Sequence, residues 1–156
     1  MTEIELVEKI KQGLKNKVLD LTNPASRRIF LKVDKKDLVE AVGFLKENFN
    51  FYHVSTISGV DLGENFEILY HLSNGNCVLT VRTLTPRNEP NVPTITGVIP
   101  GATLYEREVQ DMFGIKFEGH PNPERLLLAD NWPEGEYPLR KDWKFERPEE
   151  KIPGGK

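Results

Sequence analysis

Asn74-Gly75 lies between two runs that read as strands: Phe66, Ile68, Tyr70 and Leu72 before it, and Val78 to Leu84 after it. In an extended chain, side chains two apart share a face. Asn-Gly between alternating segments is the strongest short-range hairpin signal a sequence carries. The middle of the chain is therefore expected to form an antiparallel pair with one buried face, which excludes an all-helical fold. Every other element has to pack against that pair.

Upstream, Thr2 and Glu5 have the spacing of a capping box, and Ile4, Val7, Ile10 and Leu14 recur at helical spacing towards Gly13. Leu19 to Ser26 reads as a loop broken at Asn23-Pro24. Arg28 to Val33 alternates as a strand. Asp34 is a candidate N-cap for a second helix whose stripe is Leu38, Ala41, Val42, Leu45 and Phe49. Phe51 to Val60 is rich in β-branched and aromatic residues and reads as a strand, with a turn at Asp61-Leu62-Gly63. A strand–helix–strand unit of this kind can pair its strands in parallel through a right-handed crossover. Thr85 to Asn91 reads as a loop, Val92 to Ile99 as a short segment with one helical turn, and Thr103 to Phe113 as a helix closed by Gly114. The expected fold class is α+β: a mixed, mostly antiparallel sheet with helices on one face. It occupies residues 1–113 and is followed by an extended C-terminal tail, residues 114–156.

The tail holds six of the eleven prolines and both tryptophans, Trp132 and Trp143. Stretches longer than about 12–15 residues without regular structure are functional or disordered. Disorder suits Glu149 to Lys156. It suits the earlier part poorly, because Trp132, Tyr137, Trp143 and Phe145 are the anchors with which one protein grips another. With 156 residues, 38% hydrophobic and 29% charged, the chain can bury one core. Its 21 basic residues against 24 acidic ones leave a net charge of −3 and no basic block, so nucleic-acid binding is not expected. The single cysteine, Cys77, excludes a disulfide within the chain and a four-thiolate iron–sulfur cluster from this chain alone. The acidic amphipathic N-terminus is unlike a targeting segment. No apolar run approaches the roughly 18 residues of a membrane span, so any membrane association is expected to come through partners.

The stretch Leu104 to Pro121 concentrates the remaining chemistry. On a helical wheel, Leu104, Tyr105, Val109, Met112 and Phe113 share an apolar half. Glu108 falls inside it, Asp111 lies at its edge, and Glu106 and Arg107 point outward. A carboxylate on a buried face needs a partner, so Glu108 is expected to be buried and paired, while Glu106 and Arg107 meet a second protein. A hydrolase built on Asp111, Glu108 and His120 is the enzymatic alternative, and a free-standing adaptor the other. No nucleophile motif accompanies the acids. His53, His71 and His120 show no metal-ligand spacing, and His120, between Gly119 and Pro121, is expected to order a turn.

Two blocks then stand together: YEREVQDMFGIKFEGHP with Arg125-Leu126-Leu127 beyond it, and YPLRKDW from Tyr137 to Trp143. In that order they resemble the thirty-kilodalton subunit family of respiratory complex I, the NADH:quinone oxidoreductase. That family includes the equivalent subunits of energy-converting, membrane-bound nickel–iron hydrogenases and of F(420)H(2) dehydrogenases. The clear match covers about Ala102 to Trp143, and Glu124 stands where the family usually has a basic residue. The resemblance implies a peripheral-arm subunit with no catalytic residue and no cofactor or metal of its own. Its partners would be a large catalytic-type subunit and a small iron–sulfur subunit. Those neighbours would carry iron–sulfur clusters and a nickel–iron centre or quinone site. The place implied is the cytoplasmic face of the cell membrane. The residues implied to bind partners are Glu106, Arg107, Glu108, Asp111, His120, Arg125, Trp132, Pro138, Leu139, Arg140, Lys141, Asp142 and Trp143. Arg140, Lys141 and Asp142 would make charged contacts on the large subunit, and the two tryptophans would fill pockets there.

Overall fold

A computed structural model describes residues 2–145; the expectation for Glu149 to Lys156 lies outside the described residues. Helix α1, Glu3–Leu14, opens with the expected capping box: the Glu5 amide donates to Thr2 Oγ1 and the Thr2 amide to Glu5 Oε2. Its buried stripe is Leu6, Ile10 and Leu14, while Ile4 faces solvent. The Glu3 carboxylate accepts from Asn23 Nδ2, Ser26 Oγ and the Arg27 amide. That contact ties the start of the helix to residues 23–27, on a helix whose buried stripe runs through Leu6 and not Ile4.

The expected loop over 19–26 is a strand. β1, Asp20–Ala25, pairs antiparallel with β2, Arg28–Lys32. Its side chains are mostly exposed, so no alternation marks it. Pro24 is tolerated because β1 is an edge strand, where a missing N–H breaks no ladder bond. Asp34 caps a 3₁₀ turn over Lys35–Asp37, accepting from the Lys36 amide at 3.0 Å. Helix α2, Leu38–Phe49, follows and buries the whole predicted stripe. β3 is His53–Asp61, β4 Asn65–Ser73 and β5 Val78–Pro86.

The sheet order is β1-β2-β5-β4-β3. β2 and β3 run in the same direction, as a crossover through α2 requires, but they are not neighbours. β2 pairs in parallel with β5, and every other pair is antiparallel. The β4–β5 hairpin fills the space between them because it is the most apolar element: Phe66, Ile68, Tyr70, Leu72, Leu79 and Val81 are fully buried. Its connection is a four-residue loop, Asn74–Cys77. Asn74 Oδ1 accepts from the Asn76 and Cys77 amides, and Gly75 takes the left-handed conformation at φ 86°.

The core unites this face of the sheet with α1, α2 and helix α3, Thr103–Phe113. The opposite face is polar, with His71 Nδ1 2.9 Å from Thr80 Oγ1 and Arg82 paired with Glu67. β6, Asn91–Pro93, and β7, Lys116–Glu118, form a small parallel pair. β7 has no counterpart in the sequence reading, being three residues long. Ile115 just before it and Phe117 within it are buried, so the core continues past Phe113.

Candidate functional site: a tail mount on helix α3

Helix α3 is rotated relative to the apolar-wheel expectation. The acid buried against the sheet is Glu106, Asp111 is buried beneath the tail, and Glu108 is exposed, as is Leu104. The inward stripe is Glu106, Val109 and Phe113, continued by Ala102 just before the helix. Glu106 tolerates burial because the segment after β6 supplies donors: Thr94 Oγ1 at 2.5 Å and the Ile95 amide at 2.9 Å. Burial pushes its carboxyl up to about 7, against the opposing pull of those two bonds. His120 Nε2 lies 3.9 Å from the same carboxylate. His120 Nδ1 accepts from the Asn122 amide, which leaves Nε2–H to donate to the Thr103 carbonyl at 3.0 Å. The histidine thus orders the Gly119–Asn122 turn. A wheel could not anticipate this arrangement, since Thr94 and Ile95 come from a segment with no periodicity of its own.

The outer side of α3 grips main chain. Asp111 Oδ2 accepts from three consecutive amides, Leu126 (2.9 Å), Leu127 (2.7 Å) and Leu128 (3.1 Å). Arg107 donates from Nε to the Glu124 carbonyl and from Nη2 to the Arg125 carbonyl, each at 2.8 Å. Gln110 Nε2 donates to the Pro123 carbonyl. Positions 107, 110 and 111 lie on one helix face, so three side chains hold six residues of tail. Arg107 therefore faces the tail of its own chain. It reads the carbonyl of residue 124, not its side chain, which makes the contact indifferent to the acid at Glu124. Arg125 Nη1 donates to the Ala129 and Trp132 carbonyls and closes the next turn.

A second anchor lies at the C-terminal end of α3, where the last carbonyls have no partner within the helix. The Leu139 amide donates to Met112 O at 3.1 Å and Arg140 Nε to Phe113 O at 2.7 Å. The Arg140 guanidinium sits 4.4 Å from the Tyr137 ring centroid and 5.0 Å from that of Phe66. Gly114, at φ 70°, makes room: a Cβ there would stand 2.4 Å from the Tyr137 ring. Asp61 at the end of β3 accepts from the Lys141 amide (2.9 Å), the Gly63 amide (2.8 Å) and Arg87 Nη1 (2.7 Å). Arg87 Nη2 reaches Asp142 Oδ1 at 2.7 Å. Burial alone would raise the Asp61 carboxyl; Arg87 and the two amides outweigh it and bring it down to about 2.

Several expectations change here. The charged groups of Arg140 and Asp142, expected on a neighbour, are engaged within the chain; only the Lys141 side chain points away. Trp132 and Trp143 stack on each other at 5.8 Å, with Phe145 5.9 Å beyond, and both indole N–H groups donate to Glu136. They remain half-buried, and Leu127, Leu139 and Phe145 are exposed. Pro138 is half-buried within the second anchor, between Tyr137 and Leu139 in sequence. Asp111, Glu108 and His120, the enzymatic alternative, are not brought together: Asp111 is occupied by amides, His120 lies under the other side of α3, and Glu108 faces solvent. Gln110, Asp61, Arg87 and Thr94 escaped the sequence reading. Only Gln110 carried a signal, its position three residues after Arg107. Among the described residues no three His, Cys, Asp or Glu side chains converge as metal ligands, and no helix is long and apolar enough to cross a membrane.

Residues 31–149 match the family model described as respiratory-chain NADH dehydrogenase, 30 Kd subunit. The chain belongs to that family. Within the 30-kDa family it is similar to the C subunit of the F(420)H(2) dehydrogenase of Methanosarcina mazei, 36% identical over 120 residues, which cover 74% of this chain and 75% of the relative. The C subunit of the NADH-quinone oxidoreductase of Chloroherpeton thalassium is 35% identical over 144 residues, 88% of this chain and 59% of the relative's length. The C/D subunit of the NADH-quinone oxidoreductase of Phocaeicola vulgatus is 37% identical over 123 residues, 76% of this chain but 23% of the relative. A chain in the solved structure of the membrane-bound sulfane sulfur reductase, an archaeal respiratory membrane complex, superposes with a TM-score of 0.81 at 28% identity. That match covers 90% of this chain and 85% of the other. The 30-kDa family resemblance read from the two blocks is thus the family of the chain.

Proposed function

We propose that this chain is a peripheral-arm subunit of a membrane-bound, ion-translocating oxidoreductase complex of the complex I type, without redox centres of its own. It docks beside the large catalytic-type subunit and the small iron–sulfur subunit, on the cytoplasmic face of the membrane. The electron carriers, iron–sulfur clusters with a quinone site or a nickel–iron centre, belong to those neighbours. The contribution of this chain is positional: it keeps them in register. The observation that carries this reading is the mount on α3. The helix holds the tail by main-chain groups, and so leaves Leu127, Leu139, Lys141 and the Trp132–Trp143–Phe145 stack free to face another protein. Aromatic residues presented on a fixed backbone suit an interface, because little entropy remains to be lost on docking. The Phocaeicola relative supports direct contact with a large neighbour, since its compound name joins two subunits and the matched part is a minor share of its length.

The test is a chain ending at Pro123, which keeps His120 under α3 and removes both anchored tail segments. It is expected to fold and to be absent from the complex when the large subunit is purified. Recovery at the wild-type ratio would refute the proposal.

A further inference from the structure

The two edges of the five-stranded sheet differ. β1 carries Pro24, a register shift between Thr22 and Ala25, and a charge at Asp20, the devices that discourage a further strand from adding. β3, at the other edge, is nine residues long. After one irregularity between Val54 and Thr56 it pairs regularly with β4 as far as Asp61. Thr56, Ser58, Gly59 and Val60 give that edge neither charge nor proline. Among the described residues, its outward main-chain groups from Thr56 to Val60 have no partner.

Helix α3 does not close this edge. It packs over the inner face, where the Phe113 ring lies so close to Gly59 that a Cβ there would stand 2.6 Å from it. Between strand and helix runs a groove of about 270 Å³, with Thr56, Ser58 and Gly59 on one side and Glu108, Met112 and Leu139 on the other. Glu108 is exposed, and among the described residues no cation pairs with it.

We infer that this groove receives an extended segment of a neighbouring subunit, which adds a sixth strand at β3 and sets a lysine or arginine against Glu108. Unpaired main chain on an uncharged edge recognises an extended segment and not a helix. The uncompensated carboxylate selects a basic side chain. Met112 and Leu139 seat an apolar side chain next but one along the same strand, since alternate residues face one side. A second copy of this chain fits less well: it would bring its own Glu108 to the seam and no cation.

The inference rests on the subunit role proposed above, and its test separates the two. Amide hydrogen exchange is measured over residues 56–60 in the complex purified through this chain and in the isolated chain. Exchange of the outward-facing amides of this stretch is expected to slow by roughly a hundredfold on assembly, as for amides entering a ladder. Glu108→Lys is expected to reduce recovery of the complex roughly three- to tenfold and Glu108→Gln less, both with the melting temperature of the isolated chain unchanged. If the chain enters the complex while these amides keep their isolated-chain rates, the strand addition falls and the subunit role stands. If no complex is recovered with the wild-type chain, both fall. Protection in the isolated chain together with sedimentation at twice the monomer mass would assign the edge to a second copy and overturn the inference.

Discussion

Val109 and Phe113 join α3 to the sheet by burying apolar surface, whereas Arg107, Gln110 and Asp111 of the same helix hold residues 123–128 through carbonyls and amides. The first attachment depends on side-chain shape, which is why Phe113 needs a glycine at position 59. The second is blind to side-chain identity along the tail. One helix can therefore fix a backbone on its outer side and still leave that backbone's side chains for a partner. Glu106 is the exception on the sheet side, a carboxyl in a stripe of apolar positions.

The largest expected effect tests that exception. Glu106→Ala strips Thr94 and Ile95 of their acceptor inside the core and is expected to cost about 3 kcal/mol in chemical denaturation, with Glu106→Gln milder. The pH dependence has a definite sign. The folded carboxyl, at about 7, lies above its ordinary 4.5. Below pH 4.5 both states are protonated; between about 4.5 and 7 the unfolded chain ionises first. Stability from this group is therefore expected to fall across that window by up to about 3 kcal/mol and then level off. Glu106→Gln is expected to remove the slope. A wild-type profile rising over the same window would show that Glu106 is held as a carboxylate.

Asp111→Ala tests the other attachment. Three part-buried amides lose an acceptor that is itself buried, and the tail they belong to can loosen and admit water, so the expected cost is about 1–2 kcal/mol. It is expected to appear as faster tryptic cleavage after Arg125, with little change in the melting of the sheet. A matching loss in both would mean that tail and sheet unfold as one unit, which would break the comparison. Asp142→Asn is the smallest change, because that carboxylate is 69% exposed while Asp61 keeps the Lys141 amide and Arg87. No shift in the denaturation midpoint is expected; a clear one would mean that the Arg87–Asp142 pair, and not Asp61, holds the second anchor.

Elements whose signal is local were legible in the sequence: the Asn74-Gly75 hairpin, the stripe of α2, the bounds of α3 and its Gly114 stop. Direction of chain was legible too, since β2 and β3 run parallel as the crossover requires. Adjacency was not, because it was decided by the greater apolar surface of the β4–β5 hairpin. β1 left no pattern because an exposed edge strand has no buried face to alternate with. The choice between Glu106 and Glu108 turned on two donors from the segment before the helix, Thr94 and Ile95, which an apolar wheel does not contain. Arg140 and Asp142 looked free for a partner because Asp61 and Arg87, which hold that end of the tail, are more than fifty residues away in sequence. The two blocks that carried the family resemblance are the two anchored segments and the helix between them and the core.

The central claim, that α3 fixes the tail backbone before any partner arrives, is most directly tested by amide exchange measured by NMR on the isolated full-length chain. The Leu126, Leu127, Leu128 and Lys141 amides are expected to exchange well below the rate of an open chain, and Asp111→Ala is expected to release the first three while leaving Lys141 protected. Open-chain exchange at all four in the wild-type protein would contradict it.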